Sequence, residues 1–353
     1  MRRLDRYIVS TVANAMLMVL LVVLSLDILF GFIAEMDELK ENYQTVQALI
    51  YIITTVPRRI YDYLPLAAFI GCLVGLGVLA NSSELTVMRA AGVSVGRIVW
   101  AAMKPALLVV LIGILIGEYV APETERIAQT QRALAQGEAE TVGAERGIWH
   151  REENTFIHMS VVQSKGLING LSFFRFDTVG ALSEAFFARR ALYQGNHWLL
   201  QDVTRTYFKG DATVTESVDN EDWNTQLTPK ILNILVIKPD YLSVRGLFSY
   251  VSYLNEQGLN ANIYEMAFWK KVLQPLATAV LVIVAISFVF GPLRSVTMGF
   301  RIFCGIIVGL LFKYAQDLLG PSSLVFGFNP VFATLVPITF SAFAGIYLLR
   351  RVK

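Results

Sequence analysis

The sequence predicts an α+β integral membrane protein: six transmembrane helices, with an all-β domain inserted after the third. Two observations carry that reading. Apolar residues make up 55% of the 353 positions and charged ones only 16%, against roughly 25% charged in soluble domains. They collect in runs of about 20, the length that spans a hydrocarbon core. Between residues 122 and 242 this pattern stops. Short β-branched and aromatic runs, punctuated by Gly, Asn and Asp, replace it.

The first span is expected from about Tyr7 to Ala34, and it holds one buried-membrane acid, Asp27, which must face protein or water. The run behind MRRLDRYIVS is far longer than a signal-peptide core and is expected to be retained. After an acidic stretch, Glu35–Glu41, an apolar segment at 46–56 reads as an interfacial helix or the outer end of a kinked one. Pro57 and Pro65 break it from the second span, about Leu64–Ala80. The third span is about Ile98–Ala121, and ETERIAQTQRALAQGEAE is its helical exit. GNHW, between two strand runs, reads as a hairpin turn, and the β domain as a sandwich or jelly roll. A helix follows at about 243–257. The last three spans are about Phe268–Phe290, Met298–Leu319 and Pro330–Leu349, the first two stopped by Gly-Pro pairs. The chain thus divides into 1–121, 122–242 and 243–353.

Lys and Arg placement orients the spans. Arg2, Arg3, Arg6, Arg89, Arg97, Arg294, Arg301, Arg350, Arg351 and Lys353 fall on one side if six spans alternate, whereas the opposite short loops, 35–45 and 320–329, carry a single Lys. Both termini are therefore expected in the cytoplasm and the β domain in the periplasm. The net charge of +2 is too small to imply nucleic acid. Cys72 and Cys304 lie inside apolar runs and suggest neither disulfide nor metal.

Between spans two and three lies the most informative stretch, NSSELTVMRAAGVSVG at Asn81–Gly96. Asn81 and Glu84 have capping-box spacing. Leu85, Met88 and Ala91 form one face, and Gly92 is a natural C′ residue. The expected product is a short amphipathic helix at the membrane surface. It is either a solvated connector or a docking helix for another protein, and the second reading accounts for apolar residues that otherwise lack a partner. No glycine is followed by Lys, so no P-loop exists. If ATP drives this protein, the ATPase is another chain.

Three GxxxG patterns, Gly71/Gly75, Gly113/Gly117 and Gly305/Gly309, suit helix packing within the chain or against a partner. Lys40, Arg58, Arg59, Arg126 and Arg132 sit near the far-side membrane surface, where cations are disfavoured. Singly they read as snorkelling residues; together they suit an anionic lipid phosphate. Lys313 and Asp317, one turn apart, are expected to pair. His150, His158 and His197 have no metal-ligand spacing and read as surface or hairpin residues.

Several strings make the chain resemble a known family. These are LDRYI at Leu4–Ile8, MDELK at Met36–Lys40, LGVLANSSELTVMRAAGVS at Leu76–Ser94, GEYVAP at Gly117–Pro122, and QPLATAV with FVFGPLRSVTMG within Gln274–Gly299. They are similar to the lipopolysaccharide-export permeases of Gram-negative inner membranes, the LptF/LptG family, and within it the LptG branch. The resemblance implies six spans and a periplasmic β-jellyroll. It implies a paralogous LptF partner, a cytoplasmic LptB ATPase dimer that uses ATP and Mg, an LptC and LptA bridge, and lipopolysaccharide as substrate. No cofactor is implied on this chain itself, and no catalytic or metal site. It makes Asn81–Gly96 the coupling helix, with Glu84, Leu85, Met88, Arg89 and Gly92 in its motif.

It also makes Lys40, Arg132 and Arg58 matches for lipid-phosphate positions. Where relatives have further lysines, this chain has Ala34 and Glu41, which shifts the expectation to Arg59 or Arg126. Phe30, Ile33 and Phe312 are the expected apolar wall. The alternatives are an LptF-type subunit of the same transporter, a non-transporting mechanotransmission protein, and a lipid-modifying enzyme. The enzyme would need a carboxylate or His cluster at one depth, and Asp27, Glu118 and Asp317 lie on different spans.

Overall fold

A computed structural model describes residues 2–39, 43–136, 148–163, 166–177, 179–209, 212–225, 227–229, 231–232, 239–256, 259–291 and 296–351. Helices α1 (Arg2–Met36), α2 (Thr45–Thr54), α3 (Val56–Asn81), α4 (Glu84–Ala90) and α5 (Val95–Leu115) come first. A π-helical turn, Ile116–Val120, joins α5 to α6 (Ala121–Ala135). Six strands follow: β1 (Ile148–Glu152), β2 (Thr155–Gln163), β3 (Leu167–Phe176), β4 (Leu182–Tyr193), β5 (Trp198–Lys209) and β6 (Ala212–Trp223). The chain ends with α7 (Val244–Glu256), α8 (Asn262–Phe290), α9 (Met298–Phe326) and α10 (Pro330–Arg350). Among the described residues, six helices are long and apolar enough to cross a membrane, in the expected order around a separate β segment.

The chain divides into two compact units. The first comprises 1–31, 56–122 and 239–353; the second comprises 32–55 and 123–238. In the first unit α3 is the hub, and the three GxxxG pairs show why. A Cβ on Gly71 would lie 2.3 Å from the Met16 Cα, and one on Gly75 2.8 Å from the Val12 Cα, so both glycines seat α3 against α1. Gly117 meets the Tyr61 ring and Gly113 the Leu64 side chain, seating α5 and its π turn against α3. Gly309 meets Leu66, seating α9 there. All three pairs are therefore used inside the chain. Gly71→Val is expected to overpack the α1–α3 contact and destabilise it by about 1–3 kcal/mol, checked as a lower thermal inactivation temperature of the detergent-solubilised protein.

Two proline expectations are corrected. Pro65 does not begin the second span but lies inside α3, which starts at Val56. The ring removes the N–H that would bond the Tyr61 carbonyl, and the Gln274 side chain supplies a donor instead, at 3.4 Å. The fifth span does not stop at Gly320-Pro321. It runs on to Phe326, with Gly320 packed against the Met266 sulfur. The Lys313–Asp317 pair is also replaced: Asp317 bonds Lys270 at 3.5 Å, so a contact between helices wins over the one-turn neighbour.

In the second unit the strands form one antiparallel sheet in sequential order, β1 to β6. The described strands thus make a meander, and the crossovers that define a jelly roll are not among them. The predicted hairpin at GNHW joins β4 to β5, with the Gln194 N–H donating to the His197 carbonyl at 2.9 Å and Gly195 at φ 98°. One face carries the core: Ile157, Met159, Phe173, Phe186, Trp198, Leu200 and Val203, covered by Leu227 and Leu232. Trp198 is fully buried and its indole donates to the Leu227 carbonyl at 2.7 Å.

His150 and His158 are buried, not surface residues as the spacing argument had them. His150 lies opposite Ile157 on the core face, and His158 packs on the Trp149 ring at 4.8 Å. Desolvation lowers the His150 pKa to about 4. The unfolded chain, with an ordinary His near 6.5, binds the proton more readily between those values. Stability of the sheet is therefore full above pH 6.5 and falls as pH drops toward 4, by about 2 kcal/mol at pH 5. Sheet melting followed by circular dichroism from pH 7 to 5 checks this, and His150→Gln should flatten the slope.

Candidate functional site

The joint between spans two and three is built by local signals. Asn81 is not the N-cap: it is the last residue of α3, and the chain turns through Ser83 in a left-handed conformation, φ 59°. The expected capping box is replaced by the Ser82 hydroxyl, which donates to Glu84 Oε1 at 2.9 Å. At the far end Gly92, φ 84°, takes the C′ place. The Val93 N–H donates to the Met88 carbonyl at 3.0 Å and the Gly92 N–H to the Arg89 carbonyl at 3.0 Å, a Schellman closure. A Cβ at residue 92 would meet open space, so Gly92→Ala should cost only the backbone strain, about 1 kcal/mol. A small drop in melting temperature with normal insertion would show it.

The direction of the apolar stripe corrects the sequence reading. Leu85 and Met88 are buried, 5% and 8% exposed, and belong to the same core as Ile8, Val12, Leu76, Leu79, Ile98 and Ala102. They have a partner, and it is this chain. Arg89 is half-buried, and the outward face is Ser83, Thr86, Val87 and Ala90, with Val87 66% exposed. The joint is further tied by Arg97, whose guanidinium donates to both carboxylate oxygens of Asp5 at 2.9 Å. The fully buried Arg301 of α9 donates to the Gly77 carbonyl of α3 at 2.9 Å. Gly77 leaves the space: its Cβ would sit 2.8 Å from that guanidinium.

The far-side cations are not a free cluster. In the first unit Arg59 is buried and paired with Asp27, which also accepts from the Tyr63 hydroxyl at 2.6 Å. Gly31 makes room for its guanidinium. Arg58 pairs with Asp62 at 3.4 Å and lies over the Tyr241 ring at 4.4 Å. In the second unit Arg132 pairs with Glu35 at 2.6 Å, approaches Glu38 at 3.8 Å, and lies over the Tyr51 ring at 5.2 Å. The Tyr43 hydroxyl donates to the same Glu35 carboxylate at 2.8 Å; burial and that carboxylate push the Tyr43 phenol well above its usual range. Arg126 pairs with Glu123 at 2.5 Å. Lys40 lies outside the described residues. Four expected phosphate ligands are thus neutralised by the chain's own acids. Asp27 faces protein, as its place in the first span required; the residues whose roles were missed in the sequence are Glu35, as the partner of Arg132, and Arg301, buried on α3.

The apolar wall divides. Phe30 and Ile33 are 65% and 53% exposed on α1, as a wall requires. Phe312 instead packs inward against Ala277, Val280 and Ile338. α1 and α9 are the least buried of the six long helices. Leu17, Met18 and Val22 on α1, and Leu311, Tyr314 and Leu318 on α9, present apolar surface outward.

Residues 6–351 match the family described as lipopolysaccharide export system permease LptF/LptG. The chain is 35% identical over 355 residues to the lipopolysaccharide export system permease protein LptG of Escherichia coli strain K12, covering 99% of this chain and 98% of the relative. It is 34% identical over 337 residues to the protein of that name from Haemophilus influenzae, covering 95% and 94%.

Proposed function

The chain belongs to the lipopolysaccharide export system permease LptF/LptG family, and from that premise we propose how its parts divide the work. It is a permease subunit for lipopolysaccharide export. The reading places it in the bacterial inner membrane, with both termini and α4 in the cytoplasm and the β domain in the periplasm; the Lys and Arg placement supports this orientation. A paralogous LptF subunit completes the transmembrane passage, and an LptB ATPase dimer supplies energy from ATP and Mg. LptC and LptA receive the lipid. This chain carries no nucleotide site of its own; the missing P-loop supports that.

The observation that carries the reading is the two-faced α4. Its inward stripe, Leu85 and Met88, is packed into the core shared by α1, α3 and α5. Its outward face, around Val87, is open to the ATPase. A rigid-body push on α4 then moves three spans together, because a packed core does not deform continuously. Glu84, held by Ser82, and Arg89 form the charged rim, and Gly92 sets the angle into α5.

The substrate is a multi-acyl phosphorylated lipid, which needs an apolar wall and cations at headgroup depth. Phe30 and Ile33 supply part of the wall. Arg132, Arg126 and Arg58 exchange their carboxylate partners for lipid phosphate, whereas Arg59, buried on Asp27, holds α1 to α3. Depleting the chain in its own host tests the assignment: newly made lipopolysaccharide should stay in the inner membrane in pulse-chase fractionation. Unchanged delivery to the outer membrane would refute it.

A further inference from the structure

Within the first unit a cavity of about 410 Å³ opens between α3, α5, the π turn and α8. Small-ligand sites have volumes of roughly 300–1,000 Å³. No residue of α1 or α9 lines it. Its walls are built by irregularities that helix packing alone does not require. The π turn displaces Gly117 onto the Tyr61 ring, and such turns recur at functional positions. Pro275 leaves the Lys271 carbonyl without its helical donor.

Most of the lining is apolar, with Leu64, Val109, Val110 and Ile114 among it, and the polar groups gather with Lys271. The Lys271 ammonium is buried, donates to the Leu242 carbonyl at 2.5 Å, and lies 4.9 Å from the Tyr61 ring centroid. Arg245 is the second cation, its side chain 79% exposed and its guanidinium 3.6 Å from Glu118 Oε1. The one carboxylate, Glu118, is already occupied: it accepts from the Val244 and Arg245 N–H groups at 2.8 and 3.4 Å, at the start of α7. The charged lining is thus one ion pair, Arg245 with Glu118, and one further cation, Lys271.

The surroundings decide the occupant. Ile114, Leu115 and Tyr119 line the cavity and are 48%, 51% and 60% exposed; on a membrane-spanning segment, exposed apolar residues face lipid. We propose that this cavity holds one acyl chain of an anionic membrane phospholipid, with its phosphate between Lys271 and Arg245. A multi-acyl cargo does not fit a space of this size, so the bound lipid is a resident of the bilayer and not the exported molecule. Bound there, it bridges α3, α8 and the π turn.

The test uses the full chain in its membrane complex, reconstituted in nanodiscs of phosphatidylglycerol and phosphatidylethanolamine. Lipid retained after delipidation is counted by native mass spectrometry. Wild type should keep one phosphatidylglycerol that Ile114→Trp, which fills the cavity from its lipid-facing wall, does not. Lys271→Gln should weaken the preference for phosphatidylglycerol about fivefold. Since Lys271 is buried, Arg245→Gln on the exposed side is the second variant, with the same direction expected. Equal retention by wild type and Ile114→Trp, or no headgroup preference in wild type, overturns the proposal. Export is not the readout, so a failure here leaves the permease assignment untouched.

Discussion

Val87→Arg should uncouple ATP hydrolysis from export while the chain still inserts. Val87 is the apolar residue that α4 turns outward, and its neighbours Thr86 and Ala90 are small enough to let a partner surface close over it. An Arg there buries an unpaired charge in the interface, which costs about 2 kcal/mol or more, or roughly thirtyfold in affinity. Co-purification of the ATPase should fall by that factor, and export with it. Leu85→Arg serves as the contrast. Leu85 is 5% exposed in the chain's own core, so its replacement should lower the amount of folded protein before it affects docking. A Val87→Arg complex that retains the ATPase and exports normally would place the docking surface elsewhere on the joint.

Asp27→Ala should be the most destabilising single change in the membrane unit. It takes the Asp27 carboxylate away from the buried Arg59 guanidinium and from the Tyr63 hydroxyl. Breaking one side of a buried pair costs about 3–5 kcal/mol, whereas replacing both partners by apolar residues of similar volume is often neutral. Asp27→Leu combined with Arg59→Met should therefore recover most of the stability lost by Asp27→Ala. Thermal inactivation in detergent measures both. The double variant also assigns the role of Arg59. Export by a folded double variant makes Arg59 a structural tie between α1 and α3, and a folded but inactive one makes it a phosphate ligand. The first outcome is expected.

What could be read from the chain follows the range of the interactions involved. The six spans, the β insertion, the GNHW hairpin and the Gly92 closure are set by residues within a few positions of one another, and each appears where its signal lies. The direction of the α4 stripe was not legible, because Leu85 and Met88 have the same spacing whether they face a partner or their own core. The ion pairing of the cations was not legible for a different reason. For Arg59 and Arg132 the partners are distant in sequence: Asp27 is 32 residues from Arg59 and Glu35 is 97 from Arg132, whereas Arg58 and Arg126 pair within one turn, with Asp62 and Glu123. A run of Lys and Arg near a membrane surface looks free until the fold brings the acids in. Asp317 shows the converse, since a one-turn neighbour at Lys313 loses to Lys270, 47 residues away. Pro65 and Pro321 misled because a single missing N–H ends a helix only when nothing else holds it. Gln274 and Met266 supply what holds these two.

The central claim is that the outward apolar face of α1 meets lipopolysaccharide when α4 is driven by ATP. Site-specific photocrosslinking tests it directly, with a photoreactive phenylalanine analogue in place of Phe30, which is 65% exposed. An adduct with lipopolysaccharide that changes on adding ATP, and that no longer responds to ATP in the Val87→Arg background, is the result expected. A transporter that exports normally yet gives no lipid adduct from position 30, with or without ATP, would contradict it.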